Sequence, residues 1–345
     1  MVNVLDDFYP SITSSTNGLL TKGLGVSGSY GDYAFLPRTG QVTYYNALYV
    51  LALQNAASIA TFVGNNSDAA RWTARAANVS VAINEYRFDD SVGAFFDGDC
   101  DSAPCPTHAQ DGNSISIISG VTNTSRSQSV LSYLAANTAH AYGNSFYDND
   151  YYSTGFSERV YAFISYFELA ARFETNLANS ALEEIRRLYG WMASNDPTVT
   201  FWEGIGGDGA PYEGDYTSMA HGWSTGIVPL LTNYVLGIIP TGPGFMTWSV
   251  KPYPGDLGWA KGEVHTPRGP IIVSWIAQSG TFSFQLTISA PAGTSGTVSV
   301  PANSSSVVTV DKADIENAAP AIGIYQDGYI SVNVTGGVQY VITVD

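Results

Sequence analysis

Apolar residues recur at steps of three and four through the first two thirds of the chain, and at steps of two through the last third. Between residues 68 and 88, Trp72, Ala76, Val79, Ile83 and Tyr86 share one helical face. A helix capped by Ser157 would bury Val160, Phe163, Ile164, Phe167 and Ala171. Another would open on a capping box of Ser180 and Glu183 and bury Leu182, Ile185, Leu188 and Met192. Further helical segments are predicted over 41–63, 108–120, 125–140 and 217–236. The connections are rich in Gly, Asn and Asp, as in GNSFYDNDYYSTG. About seven helices without strands alternating between them make an all-α array of helix hairpins.

Past residue 238 the period falls to two. Residues 271–276 and 282–288 flank Gln278, Ser279 and Gly280, which reads as a hairpin. Short strands are predicted over 297–300, 306–310, 329–334 and 338–344, giving an antiparallel β-sandwich of roughly 100 residues. In LGIIPTGPGF, Pro240, Gly242, Pro243 and Gly244 stop the last helix. The expected division is therefore a helical domain over 1–237 and a sandwich over 238–345.

Charge narrows the function. Of 345 residues only 13% are charged, and 30 acids against 14 bases leave a net −16. Such a field repels phosphate backbones and anionic membrane surfaces, so neither nucleic acid nor membrane is expected as a partner. A neutral partner such as a sugar fits better, and the 22 tyrosines could serve it or simply line the core. The uncharged stretch 39–67 reads as a buried helix, because its longest apolar run, 47–53, ends at Gln54 and Asn55. A membrane span needs roughly 20 mostly apolar residues. Cys100 and Cys105, in DGDCDSAPCP, suggest a small disulfide-closed loop, with two free thiols as the alternative. With sequons at Asn65, Asn78, Asn123, Asn303 and Asn333, they favour a secreted glycoprotein, although MVNVLDDFYP is no signal peptide.

Several motifs drop out. Gly23, Gly25 and Gly28, and again Gly204, Gly206 and Gly209, match G-x-G-x-x-G, but neither follows a strand and opens a helix, as pyrophosphate binding requires. Asp97, Asp99 and Asp101 alternate as in a calcium loop, yet Ser102 stands where glycine is needed and His108 where a bidentate glutamate is needed. The four histidines lack zinc spacing, and no G-x-S-x-G elbow occurs. Neither metal nor cofactor is expected. Carboxylates remain. Glycoside hydrolysis needs two of them, one as acid on the leaving oxygen and one as base or nucleophile. In TFWEGIGG, Glu203 follows Phe201 and Trp202, whose rings could desolvate one side of it, and precedes glycines that let it face a cleft. The competing reading is a loop acid in water.

FWEG, TSMAHGWSTG, LGIIPTGPGF and VKPYPGDLGWAKGEVHTPRGPIIVSW together resemble the α-L-rhamnosidases of glycoside hydrolase family 78. GDYAFLPRTG, the helix holding Tyr44 and Tyr45, and HAQDGN extend the resemblance over nearly the whole chain. It implies an (α/α)6 barrel of the six-hairpin glycosidase type, here partial, followed by a β-sandwich. It also implies hydrolysis of terminal α-L-rhamnosyl bonds in rhamnose-containing glycosides or polysaccharides, with inversion. By resemblance Glu203 is the general base, His221 contacts the bound rhamnose, and Trp223 is its neighbour in the pocket, while Trp202, adjacent to Glu203 in the chain, is counted as a further substrate contact. Asp32 and Tyr33 match a motif near the sugar where the family commonly has Trp, and Phe96 would face the pocket.

One departure stands out. The family carries an Asp- and Arg-rich motif with its general acid upstream of GDW, and the roughly 31 residues before GDY hold no such cluster. The chain is therefore expected to be the C-terminal part of a longer rhamnosidase with little activity alone, since losing a general acid costs about 10²–10⁴ in rate. Two other readings stay open: a non-catalytic carbohydrate-binding protein or pseudoenzyme, and another glycosidase on the same six-hairpin barrel.

Overall fold

The computed structural model describes residues 4–21, 38–101, 103–152, 154–279, 282–312, 319–320 and 323–345. They form two compact units, Met1–Thr175 with Glu183–Thr225, and Asn176–Leu182 with Gly226–Asp345.

The first unit is built mainly of helices, but among the described residues it departs from the expected all-α array in three short two-stranded ribbons, Phe88–Asp89 with Ala94–Phe95, Asp99–Cys100 with Ala103–Pro104, and Ala139–His140 with Gly143–Asn144. Helix α1 (Thr43–Phe62) carries no charged residue and buries Ala47, Tyr49, Val50, Leu53 and Ala60, as an uncharged segment must. Helix α2 (Asn66–Tyr86) starts at Asn65, whose side-chain oxygen accepts the Asp68 amide at 3.3 Å. Trp72, Ala76, Val79 and Ile83 are buried on it, whereas Tyr86 in its last turn is exposed. Helices α3 (Gln110–Ile118) and α4 (Thr124–Asn137) follow, the latter capped by Asn123 on the Arg126 amide at 2.9 Å. Helices α5 (Ala162–Glu174) and α6 (Ala178–Asn195) come next, and the first residues of α6, through Leu182, belong to the second unit.

Two expected helix starts are corrected. Ser157 lies in a short 3-10 turn, Phe156–Glu158, and does not cap α5. Val160 exchanges two backbone hydrogen bonds with Ile205, at 3.0 and 2.8 Å, so the chain runs extended just before the helix. Ser180 and Glu183 sit inside α6, because the Ala181 amide already bonds the Leu177 carbonyl at 3.1 Å. Residues 217–236 also depart from one helix. They contain a 3-10 segment (Gly222–Gly226), one α-turn (Ile227–Leu230) and a π-turn (Leu231–Val235). Two glycines and Pro229, which lacks an amide proton, account for the interruption.

The interior of this unit carries charge. Arg38 grips Asp111 with two hydrogen bonds of 2.9 Å and lies 3.2 Å from Asp97, all three buried. Tyr147 donates to Asp97 at 3.0 Å. Asp99 pairs with Arg87, so two of the three alternating aspartates serve as arginine partners. A second buried cluster joins Glu168, Arg172 and Glu184, with Gln110 and Asn144 donating to Glu168 at 2.7 and 2.8 Å. Burial, followed by the charge of Glu168, pushes the Glu184 carboxyl up to about 8. Cys100 and Cys105 form the expected disulfide.

The second unit is mainly sheet. Its strands are β1 (Ile238–Pro240), β2 (Thr247–Val250), β3 (Trp259–Thr266), β4 (Gly269–Ser279), β5 (Phe282–Ser289), β6 (Ser295–Pro301), β7 (Val308–Lys312), β8 (Ala319–Pro320), β9 (Ile324–Gln326), β10 (Tyr329–Thr335) and β11 (Gln339–Val344). One sheet runs β8-β7-β11-β5-β4-β3 and the other β9-β10-β6-β2-β1. Pairing is antiparallel except between β2 and β6, which run parallel. Alternate residues point into the core: Ile271, Val273 and Trp275 on β4, Phe284, Leu286 and Ile288 on β5, Val298 and Val300 on β6. The buried indole of Trp248 donates to Thr294 Oγ1 at 3.0 Å and that of Trp275 to the Val235 carbonyl at 2.8 Å, so neither polar edge is left unpaired.

Candidate active site

Glu203 sits where two loop segments pair. Its amide donates to the Ser218 carbonyl at 2.9 Å, and the His221 amide donates to the Phe201 carbonyl at 2.9 Å. The start of this segment is fixed by Asp196. Its carboxylate accepts the amides and hydroxyls of Thr198 and Thr200 and the Trp202 indole. Those threonine hydrogen bonds hold the Asp196 carboxyl well below the usual carboxylate range. Trp202 is 3% exposed and packs with Leu188, Met192 and Ile205. This corrects the expectation for Trp202: it anchors the loop from the core and does not line a cleft.

Anchoring on one side frees the next side chain to point the other way. The Glu203 side chain is 19% exposed, which leaves its carboxylate within reach of solvent. Oε2 accepts the Ser218 amide at 3.1 Å and Oε1 accepts the Tyr212 hydroxyl at 3.3 Å. His221 Nδ1 stands 4.0 Å from Oε2. Desolvation, then the negative charge of Glu203, raises the Tyr212 hydroxyl far above the ordinary tyrosine value, so the phenol stays a donor to the carboxylate. Trp223 lies 62% exposed, its ring 5.7 Å from that of His221 and 5.4 Å from that of Phe163. The group therefore presents a fixed carboxylate, an imidazole and an open indole.

The glycines after Glu203 have a steric role. A Cβ at Gly204 would stand 2.9 Å from ring carbons of both Tyr161 and Tyr212. Gly209 adopts a positive φ of 79° in a turn closed by its amide on the Gly206 carbonyl at 2.9 Å. This loop is packed against aromatic rings, so its glycines provide close approach more than mobility.

Phe96 belongs to a different group. Its ring stacks on His108 at 5.4 Å, and His108 in turn contacts Asp148 at 2.8 Å and Asp89 at 3.3 Å. Asp32 and Tyr33, and the motif of Gly23, Gly25 and Gly28, lie outside the described residues. Sequence reasoning missed Tyr212, Ser218 and Asp196. Tyr212 sits in PYEGDY, which reads as a polar loop. The backbone bridge between Ile205 and Pro211 and the Tyr212 amide, which donates to the Gly204 carbonyl at 3.2 Å, bring it back onto Glu203.

Residues 2–235 match the family described as the bacterial alpha-L-rhamnosidase 6 hairpin glycosidase domain, which sets the class of the helical part. Residues 237–314 match the bacterial alpha-L-rhamnosidase C-terminal domain, and with both matches the chain belongs to the bacterial α-L-rhamnosidase family. Solved structures are similar in fold. The α-L-rhamnosidase from Dictyoglumus thermophilum aligns at 18% identity over 87% of this chain and 31% of its own, with a TM-score of 0.65. The GH78 family rhamnosidase of Bacillus sp. GL1 aligns at 24% identity over 81% of this chain and 28% of its own, with a TM-score of 0.63. The native enzyme from Aspergillus terreus covers 98% of this chain and 35% of its own at 16% identity, with a TM-score of 0.62. The chain thus spans 31% and 28% of the first two proteins. No curated protein sequence matches it.

Proposed function

We propose that this chain supplies the water-activating side of an inverting α-L-rhamnosidase, with Glu203 as general base. The observation that carries the reading is the Glu203 carboxylate itself, partly exposed yet oriented by Tyr212 and the Ser218 amide. A carboxylate fixed in this way keeps lone pairs for a water molecule aimed at the anomeric carbon. His221, 4.0 Å away, is placed to hydrogen-bond a sugar hydroxyl, and the exposed Trp223 ring offers an apolar wall for the sugar's C–H face. Rhamnose-containing glycosides are the substrate class, in keeping with the family. Inversion requires a second carboxyl about 6.5–9.5 Å from the first, so that water fits between them. The two family matches support a modular division close to the expected 1–237 and 238–345, although the compact units part earlier, between Thr225 and Gly226.

An extracellular site of action fits the Cys100–Cys105 disulfide and the exposure of all five sequon asparagines. Among the described residues no helix is long and apolar enough to cross a membrane.

The test is Glu203→Gln in the protein that carries this chain, assayed on an aryl α-L-rhamnoside. Turnover should fall about 10²–10⁴-fold with little change in KM, as for loss of a general base. Proton NMR of the first product should show β-L-rhamnose. Unchanged kinetics would remove Glu203 from the mechanism, and α-L-rhamnose as first product would remove inversion.

A further inference from the structure

The sandwich unit contains a pocket of about 470 Å³, within the range of small-molecule sites, roughly 300–1,000 Å³. Three tight turns frame it, each with a residue of positive φ: Asn176 at 60°, Gly255 at 55° and Asp327 at 50°. Asn179 and Ser180 line one side, Tyr253 and Tyr329 another. Gly255 permits this arrangement, since a Cβ there would stand 2.9 Å from Asn179 Oδ1. The pocket therefore has aromatic surface on one side and short amide, hydroxyl and carboxylate groups around it.

The aromatic side is built rigidly. The rings of Tyr253 and Tyr329 lie 5.9 Å apart at 60°, and the Tyr329 hydroxyl donates to the Pro252 carbonyl at 3.0 Å. The Lys251 ammonium sits over both rings, 4.4 Å from the Tyr329 centroid and 5.1 Å from that of Tyr253. Lys251 and Asp327 are opposite charges near enough to interact, so together they give an ion of either sign no net attraction. A neutral ligand needs no such attraction. It can donate hydroxyls to Asp327, a charge-assisted bond, and exchange hydrogen bonds with the Asn176 and Asn179 amides.

We propose that this pocket is a second carbohydrate site, which holds one neutral sugar residue with its C–H face toward Tyr253 and its hydroxyls on Asn179 and Asp327. It makes the sandwich a binding module in its own right, independent of chemistry at Glu203.

The test uses the full chain carrying Glu203→Gln and His221→Ala, so that binding at the other group is suppressed. Methyl α-L-rhamnoside, methyl β-D-glucoside, methyl β-D-galactoside and inorganic phosphate are titrated separately by saturation-transfer NMR. At least one glycoside should bind, and adding Asn179→Ala with Asp327→Asn should weaken it tenfold or more. Asn179 and Asp327 are both exposed, and asparagine tolerates the left-handed turn at 327, so the fold should survive. Tyr253→Phe should retain binding, whereas Tyr253→Leu should lose it. The proposal is overturned if no glycoside binds, if phosphate alone binds, or if the Asn179 and Asp327 changes leave glycoside affinity unaltered.

Discussion

The two units solve the problem of an interior in opposite ways. Among the described residues, the buried polar side chains of the sandwich unit are Thr294 and Ser299, neither of them charged. The helical unit buries Arg38, Arg87, Asp97, Asp111, Glu168, Arg172 and Asp196, with the Glu184 carboxyl beside Arg172. A sheet core filled by alternate Val, Ile, Phe and Trp needs the right volume and little else. An interior with paired charges needs every partner in place, because an orphaned ion in low dielectric is costly. The ionic unit is also the one that holds Glu203. Its charges fix several segments of chain against one another: Arg38 alone ties residues 97, 111 and 147 together.

The largest effect should come from breaking that tie. Arg38→Met leaves Asp97 and Asp111 buried without a cation, a loss of about 3–5 kcal/mol. In the sandwich a volume-conserving change such as Ile271→Leu should cost less than about 1.5 kcal/mol. Urea denaturation followed by circular dichroism measures both. Equal costs would erase the contrast between the two interiors.

Glu184 sharpens the comparison through pH. Its folded carboxyl titrates near 8, above its ordinary range, so the folded state holds a proton that the unfolded chain has already released. Its contribution is full at acidic pH and is lost as pH rises through the range up to about 8. Melting temperature should therefore fall over this window in the wild type and fall less in Glu184→Gln. Parallel pH profiles for the two proteins would count against a buried, protonated Glu184.

The smallest effect is at the surface of the same unit. Asn123→Ala removes the α4 cap from the Arg126 amide and should cost about 1 kcal/mol. A loss as large as that of Arg38→Met would mean that the helical unit depends on its helix ends as much as on its ionic interior.

Legibility in the sequence followed the same divide. The β4–β5 hairpin and strands β6, β10 and β11 were readable because one wet face and one dry face produce period two. Strand β3 was missed. WAKGEVHT is an edge strand whose residues alternate only between exposed and half-exposed, so its pattern lacks a clear apolar face. The helices were legible from their apolar faces, but two of their starts were not. A backbone bridge to Ile205 set the approach to α5, and a distant partner cannot be seen in local cap residues. At the site, Glu203 was singled out by local pattern and His221 through the family resemblance, while Tyr212 became visible only in three dimensions. Trp202 looked like a ligand contact from its neighbours, but its alternation with Glu203 across the segment placed it in the core.

Gly204 has a consequence for how this site can change over generations. The space that its missing Cβ would occupy is bounded by Tyr161 and by Tyr212, the latter a hydrogen-bond donor to Glu203. A substitution at 204 is thus tolerable only in a background where one of those rings has already been reduced or displaced. Mutational routes through this position have an order: first 161 or 212, then 204. A variant with a larger residue at 204 and both tyrosines intact should be rare among functional relatives, because its first step would push the donor away from the carboxylate.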